Sequence, residues 1–329
     1  MTSVQKYPQA VKNNTDDDFE SLSSISEKDK IWDERKLSAD TLSAVAYSAG
    51  MERQFQRLAG CAGVLSFAQS DDGNGIKLRG AHFCKYRHCP VCTWRRSLRN
   101  KAILLSALPT IEAQYPKHRW LFLTLTVRNV EVTRLRETLA TMSRAWVRMI
   151  ERKDWPAVGW IRSLEITRGE DGSAHPHYHA MLMVPASYFS GQGYITQKSW
   201  SEGWRTALRV DYDPVVDVRT IKPKSNADGR TALYHAVAEV AKYSTKTNDL
   251  TVDGDWFRIF AEQVRGSKML TTGGVLKGIM KRIDAETDDD LVHVEGSAED
   301  STEALGNIFV SWVRKRRQYG RRKVQFLDK

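Results

Sequence analysis

Along the chain the spacing of apolar and polar positions changes several times, and each change marks an element. Between 120 and 127, Leu121, Leu123, Leu125 and Val127 fall on one side and Thr124 and Thr126 on the other, the period of two that a half-buried strand requires. The period then lengthens. Leu135, Leu139, Met142, Trp146 and Met149 step by four and three, which predicts an amphipathic helix. Residues 160–167 return to strand character, Asp171 and Gly172 supply turn chemistry, and the run HYHAMLMV leads back, predicting a β-hairpin. Trp200, Trp204 and Leu208 predict a short helix, and 215–222 alternates as a strand with one wet face. Residues 231–246 are rich in helix formers and lack Gly and Pro, which predicts another helix.

Elements of both kinds alternate without an internal repeat. The expected fold is therefore α+β: a central antiparallel sheet carrying the histidine hairpin, flanked by helices, with an attached zinc-binding module. Residues 1–45 are polar with acidic patches and too few apolar side chains to offset the entropy of ordering, so a disordered arm is expected there. The expected divisions after it are a zinc-binding and basic-helix module over 46–108, a catalytic domain over 109–250, and a C-terminal region over 251–329 with an acidic linker and a basic tail, WVRKRRQYGRRKVQ.

Composition narrows the function classes. The 329 residues are 41% hydrophobic, enough for a core, and 50 Lys and Arg against 40 Asp and Glu give +10, which favours a polyanionic partner. The N-terminus has no apolar signal core, and no run of about 18 apolar residues could span a bilayer, so a cytoplasmic protein without membrane partners is expected. In such a compartment four cysteines are candidates for metal binding or plain burial before disulfides.

Four constellations carry candidate chemistry. In a strand, His177 and His179 share a face, and a partner strand over 160–167 could bring Glu165 beside them, flanked by Ser163 and Thr167. Two imidazoles and a carboxylate suit a divalent ion that keeps open positions for a substrate oxygen, with His175 as an alternative third ligand; surface histidines on an edge strand are the plain alternative. Cys84, Cys89 and Cys92 form a C-x4-C-x2-C knuckle suited to Zn²⁺, with Cys61, His82 or His88 as the fourth ligand. Directly after it, Arg95, Arg96, Arg99 and Lys101 are expected on the polar side of a helix, where they could grip phosphates or simply be solvated. Finally, Glu239 and Tyr243 are one helical turn apart with Lys242 adjacent, while Tyr234 is a rival tyrosine on a different face.

Taken in order over roughly residues 55–250, these segments resemble the rolling-circle plasmid replication initiators, a single-tyrosine branch of the HUH endonuclease superfamily. FLTLT at 122–126 is similar to the first motif, HPHYHAML at 175–182 to the metal motif, EVAKY at 239–243 to the tyrosine motif, and FCKYRHCPVCTWRRS to an upstream cysteine motif that also has an earlier Cys matching Cys61. The resemblance implies a catalytic Mg²⁺ or Mn²⁺ on His177 and His179, Tyr243 as nucleophile, and Glu239 as the carboxylate that activates water in a later hydrolysis. It implies single-stranded or hairpin DNA of a plasmid origin as substrate, with a host helicase and polymerase as candidate further partners. A single-tyrosine transposase or relaxase would share the His pair and the tyrosine helix. A non-catalytic, zinc-dependent DNA-binding regulator would use only the cysteines and the Arg helix.

Overall fold

The computed structural model describes residues 18–69, 75–190, 193–222, 231–242, 245–278, 292 and 307–322. In chain order the elements are β1 (Phe19–Ser21), α1 (Leu22–Ile25), α2 (Ile31–Ser48), α3 (Glu52–Gly60), β2 (Val64–Gln69), β3 (Ile76–Ala81), α4 (Pro90–Gln114), β4 (His118–Thr126) and α5 (Leu135–Ile150). They continue with β5 (Gly159–Arg168), β6 (Ala174–Pro185), α6 (Gln197–Leu208), β7 (Val216–Ile221), α7 (Ala232–Ala241), α8 (Thr247–Thr251), α9 (Gly254–Gln263), β8 (Leu270–Gly274), β9 (Asn307–Val313) and β10 (Gln318–Arg322). No helix among the described residues is long and apolar enough to cross a membrane.

Two antiparallel five-stranded sheets organise these elements, giving an α+β protein. One has the order β7-β4-β6-β5-β8 and carries the histidines at its centre. Its two faces are separated by alternation. Leu121, Leu123 and Leu125 of β4 and Tyr178, Ala180 and Leu182 of β6 enter the main core, where the α5 stripe of Leu135, Leu139, Met142, Trp146 and Met149 and the indoles of Trp200 and Trp204 in α6 cover them. Each such large side chain contributes about 1.5–3 kcal/mol by leaving water. The opposite face presents Trp120, Ile161, Met181 and Met183, on which α4 and α7 pack through Leu104, Leu108, Ile111, Val237 and Val240. The β8 edge comes in close because it ends in glycines: a Cβ on Gly273 would lie 2.2 Å from the Trp160 ring, and Gly274 has φ +58°.

The other sheet, β1-β10-β9-β2-β3, joins the two ends of the chain, and here the structure corrects several expectations. Residues 1–17 of the expected disordered arm lie outside the described residues, but 18–45 are folded, with Leu22, Trp32, Ala39 and Leu42 almost wholly buried. The stripe of α2 escapes a search for apolar residues because Lys36 sits in it. That ammonium is 1% exposed, donates to the Ala59 carbonyl at 2.8 Å and pairs with Asp40 at 3.0 Å. The expected basic tail, as far as Arg322, is the end of β9, a turn and β10, paired between β2 and β1. The expected divisions therefore cut through contacts. Segments from 1–45, 46–108 and 251–329 share one sheet, and α4 runs through the boundary at 108. Most of the acidic linker lies outside the described residues.

Candidate active site

The hairpin β5–β6 sets the site by register. Its turn is closed by Asp171, whose Oδ1 accepts from the Ser173 amide at 3.0 Å and its hydroxyl at 2.6 Å, with Gly172 at φ +81°. The pairing that follows places Glu165 opposite His177, Ser163 opposite His179 and Thr167 opposite His175, while Thr126 and Thr124 of β4 flank His177 and His179 on the other side. Directly opposed side chains on one face stand about 5 Å apart at Cβ.

Three donors converge in consequence. Glu165 Oε2 lies 3.0 Å from His179 Nε2 and 3.4 Å from His177 Nε2, and a ligand atom from each residue falls within 4.8 Å of the others. Both rings are aimed from behind. His177 Nδ1 lies 3.2 Å from the His175 carbonyl and so donates to it, and His179 Nδ1 lies 3.2 Å from Thr124 Oγ1. Phe122 covers one side of the His179 ring, with centroids 5.6 Å apart. Hydrogen bonds from His177 and then His179 hold the Glu165 carboxyl well below the usual carboxylate range, against the opposing effect of burial. Two imidazoles and an ionised carboxylate, all part-exposed, fit a divalent cation with positions open to a ligand. His175 stands outside this group of three: its ring is 5.3 Å from that of His177, and burial lowers its pKa. Thr124, seen in the sequence as the side of β4 opposite the leucines and as part of FLTLT, thus touches the site directly.

On α7, Ala236, Val237, Val240 and Ala241 are buried against Ile161, Met181 and Met183. Met181 and Met183 continue the alternation of His177 and His179, so the helix lies on the histidine face of the sheet. Its first turn, capped by Thr231 Oγ1 accepting from the Tyr234 amide at 3.2 Å, borders a cavity of about 450 Å³ with Trp120, Met183 and Ile221. Glu239 pairs with Lys242 at the far end. Tyr243 lies outside the described residues. The rival Tyr234 faces α4, where its hydroxyl accepts from Lys101 Nζ at 3.3 Å.

The cysteines form a second constellation. Cys61 at the end of α3, Cys84 after β3, Cys89 capping α4 and Cys92 in its first turn place their sulfurs within 4.8 Å of one another. Ala62 (φ 51°) and Lys85 (φ 54°), each following a cysteine, make the tight turns. Hydrogen bonds from Cys61, Cys89 and Cys92 push the Cys84 thiol far down, toward thiolate. Four thiol groups in such a cage match what Zn²⁺ prefers. Neither histidine alternative joins them. His82 is exposed, and His88 is buried among Tyr86, Phe257 and Phe260, where desolvation lowers its pKa to about 3.

The basic face expected on α4 is not a solvent-facing one. Arg95 and Arg99 are each 6% exposed. The Arg95 guanidinium lies 5.3 Å from the Trp32 and Trp94 rings and donates to the Val292 carbonyl at 2.9 Å. Arg96 is half-buried and donates to the Lys85 carbonyl at 3.1 Å. These groups hold the fold together and leave Arg95 and Arg99 no surface on which to meet phosphate.

Comparison with known proteins adds to the geometry. A family model described as a replication protein, Rep_1, matches residues 75–320. "Protein rep" of Lentilactobacillus hilgardii is 32% identical over 303 residues, covering 89% of this chain and 95% of the relative. "Protein rep" of Streptococcus pneumoniae serotype 2 is 34% identical over 265 residues, 78% of this chain and 80% of the relative. A "Replication protein" of Staphylococcus aureus is 33% identical over 218 residues, 63% of this chain and 92% of the relative. No solved structure matches.

Proposed function

The chain belongs to the Rep_1 replication protein family, and from that premise we propose that it initiates rolling-circle replication of a plasmid by cutting one strand of the origin, with Tyr243 as nucleophile. Glu165, His177 and His179 would hold Mg²⁺ or Mn²⁺, which supplies positive charge beside a phosphate oxygen as charge develops there. The chain's own part begins with orientation. Because His177 Nδ1 donates to a carbonyl, Nε2 is the nitrogen that faces the Glu165 carboxylate, and it would give up its proton there to take a cation. The imidazoles therefore need no reorganisation when the site fills.

Attack forms a bond from the Tyr243 phenol oxygen to phosphorus and breaks the bond from phosphorus to the 3′ oxygen. The phenol gives up one proton and the leaving oxygen takes one, so the products are a 5′-phosphotyrosine and a free 3′-hydroxyl that can prime synthesis. Lys242, next to the tyrosine, adds the positive charge that favours a phenolate over its ordinary pKa of about 10. Glu239, which pairs with Lys242, would take a proton from water in the closing cut. Zn²⁺ on Cys61, Cys84, Cys89 and Cys92 would be structural.

The observation that carries this reading is that α7 packs on the histidine face. Its start lies beside Trp120 and Met183, and ten helical residues advance about 15 Å. Along β6 the step from Met183 to His179 is about 13 Å, so the length of α7 matches the distance from its start to the level of the metal ligands. Incubation with supercoiled origin DNA and Mn²⁺ tests it. Tyr243→Phe is expected to nick no faster than an EDTA-treated sample and to trap no covalent adduct, with Tyr234→Phe active. A Tyr243→Phe protein that still forms the adduct would overturn the assignment.

A further inference from the structure

With Arg95 and Arg99 of α4 turned inward, a net charge of +10 still calls for a surface on which DNA could lie. The chain-end sheet has one. Its inner face buries Leu65, Phe67, Val310 and Tyr319, so Val64, Ser66, Phe309 and Ser311, which alternate with them, form an outer face. On it Phe309 is 57% and Val64 50% exposed. The turn between β9 and β10 is Arg314-Lys315-Arg316-Arg317, every residue of it exposed, and Arg322 at the end of β10 and Lys77 on the edge strand β3 are exposed too. Against these cations stand Asp40, 3.7 Å from Arg314, and Glu20, paired with Arg321 at 2.7 Å, and the turn itself carries four basic residues and no acid.

The hairpin is also held rigidly from behind. Tyr319 donates its hydroxyl to the Ala62 carbonyl at 2.5 Å, beside Cys61, and its amide to Asp33 at 2.7 Å, while Trp312 Nε1 donates to Asp40 at 2.7 Å. At the edge, the Phe19 ring covers Gly320, where a Cβ would come within 2.2 Å of it, and Arg316 lies 4.4 Å over the same ring. Cations displayed on an ordered sheet and its tight turn lose little entropy on binding.

We propose that the β9–β10 hairpin and the outer face of its sheet bind duplex DNA, gripping phosphates outside the cleavage site. This rests on the reading of the chain as a replication initiator. The test is the salt dependence of affinity of the full chain for a short labelled duplex of arbitrary sequence. Replacing Lys315, Arg317 and Arg322 together by Gln is expected to lower the slope of log affinity against log salt by roughly 2 to 3, and to weaken binding at least tenfold at about 0.1 M salt. Arg322→Gln alone, at the end of β10 and outside the turn, is expected to lower the slope by about 1, so a triple variant that fails to fold still leaves a decisive measurement. A wild-type slope in both variants overturns the proposal. Nicking is read separately: a hairpin-dependent slope in a protein that cuts no origin DNA keeps this surface and sinks the nuclease, and a nuclease with an unaltered slope in the variants does the reverse.

Discussion

An imidazole serves a divalent ion only when one nitrogen's lone pair faces it, and in this site the aiming is done from the opposite ring atom. His177 is fixed by a main-chain carbonyl, which substitution cannot remove, but His179 depends on the Thr124 hydroxyl at 3.2 Å. Thr124→Val keeps the size and the strand preference and deletes that contact. Mn²⁺ affinity, followed by electron paramagnetic resonance titration, is expected to fall by about 10- to 100-fold, with stability lowered by no more than about 1 kcal/mol. Unchanged affinity would mean that packing against Phe122 orients the ring by itself. The sign that Thr124 mattered was present in the chain, since it shares the parity of Phe122 and Thr126, but only the strand pairing reveals that His179 is its neighbour.

At the scale of one element, β6 separates chemistry from stability residue by residue. Tyr178 lies between His177 and His179 yet faces the main core, 3% exposed, with the Trp146 ring at 6.1 Å and the Arg162 guanidinium 4.1 Å over it. Tyr178→Ala is expected to cost about 3–5 kcal/mol in urea denaturation, through the cavity and the loss of a cation–π partner for a buried Arg162. His177→Ala is expected to cost no more than about 1 kcal/mol while abolishing metal-dependent nicking. Comparable losses of stability in the two variants would refute this division of the strand. The same alternation explains why β4, α5, β5, β6, α6 and β7 were legible in the sequence, since a strongly apolar face keeps its period; α7 was read too long, for it ends at Ala241 with Lys242 at ψ 144°, short of the expected 246. Elements that bury polar groups were not legible. Lys36 interrupts the stripe of α2, and Arg95 satisfies itself on Trp32, Trp94 and the Val292 carbonyl, partners that no local window contains. A turn of Arg314 to Arg317 likewise makes a β-hairpin look like a tail.

For the whole molecule, the consequence is that the histidine-bearing sheet is packed and paired with segments outside 109–250. The contiguous stretch 109–250 contains every proposed Mg²⁺ or Mn²⁺ ligand together with Glu239 and Tyr243, and on sequence grounds it should stand alone. In the structure, α7 is held onto the histidine face partly by Leu104 and Leu108, which lie upstream of that stretch, and the edge of β5 is paired by β8, which lies downstream. Main-core contacts also come from Phe257 and Phe260 of α9. Cutting the chain to 109–250 would expose the Ile161 and Met181 face and leave β5 an open edge, costs that together exceed the margin of a typical domain. Such a fragment is expected to lack a cooperative thermal transition by circular dichroism, whereas the full chain melts in a single transition or in a few steps. A cooperative melt of the fragment, with Mn²⁺ bound as tightly as by the full chain, would show that α4 and β8 are additions to an autonomous nuclease and that the boundaries read from the sequence are the physical ones.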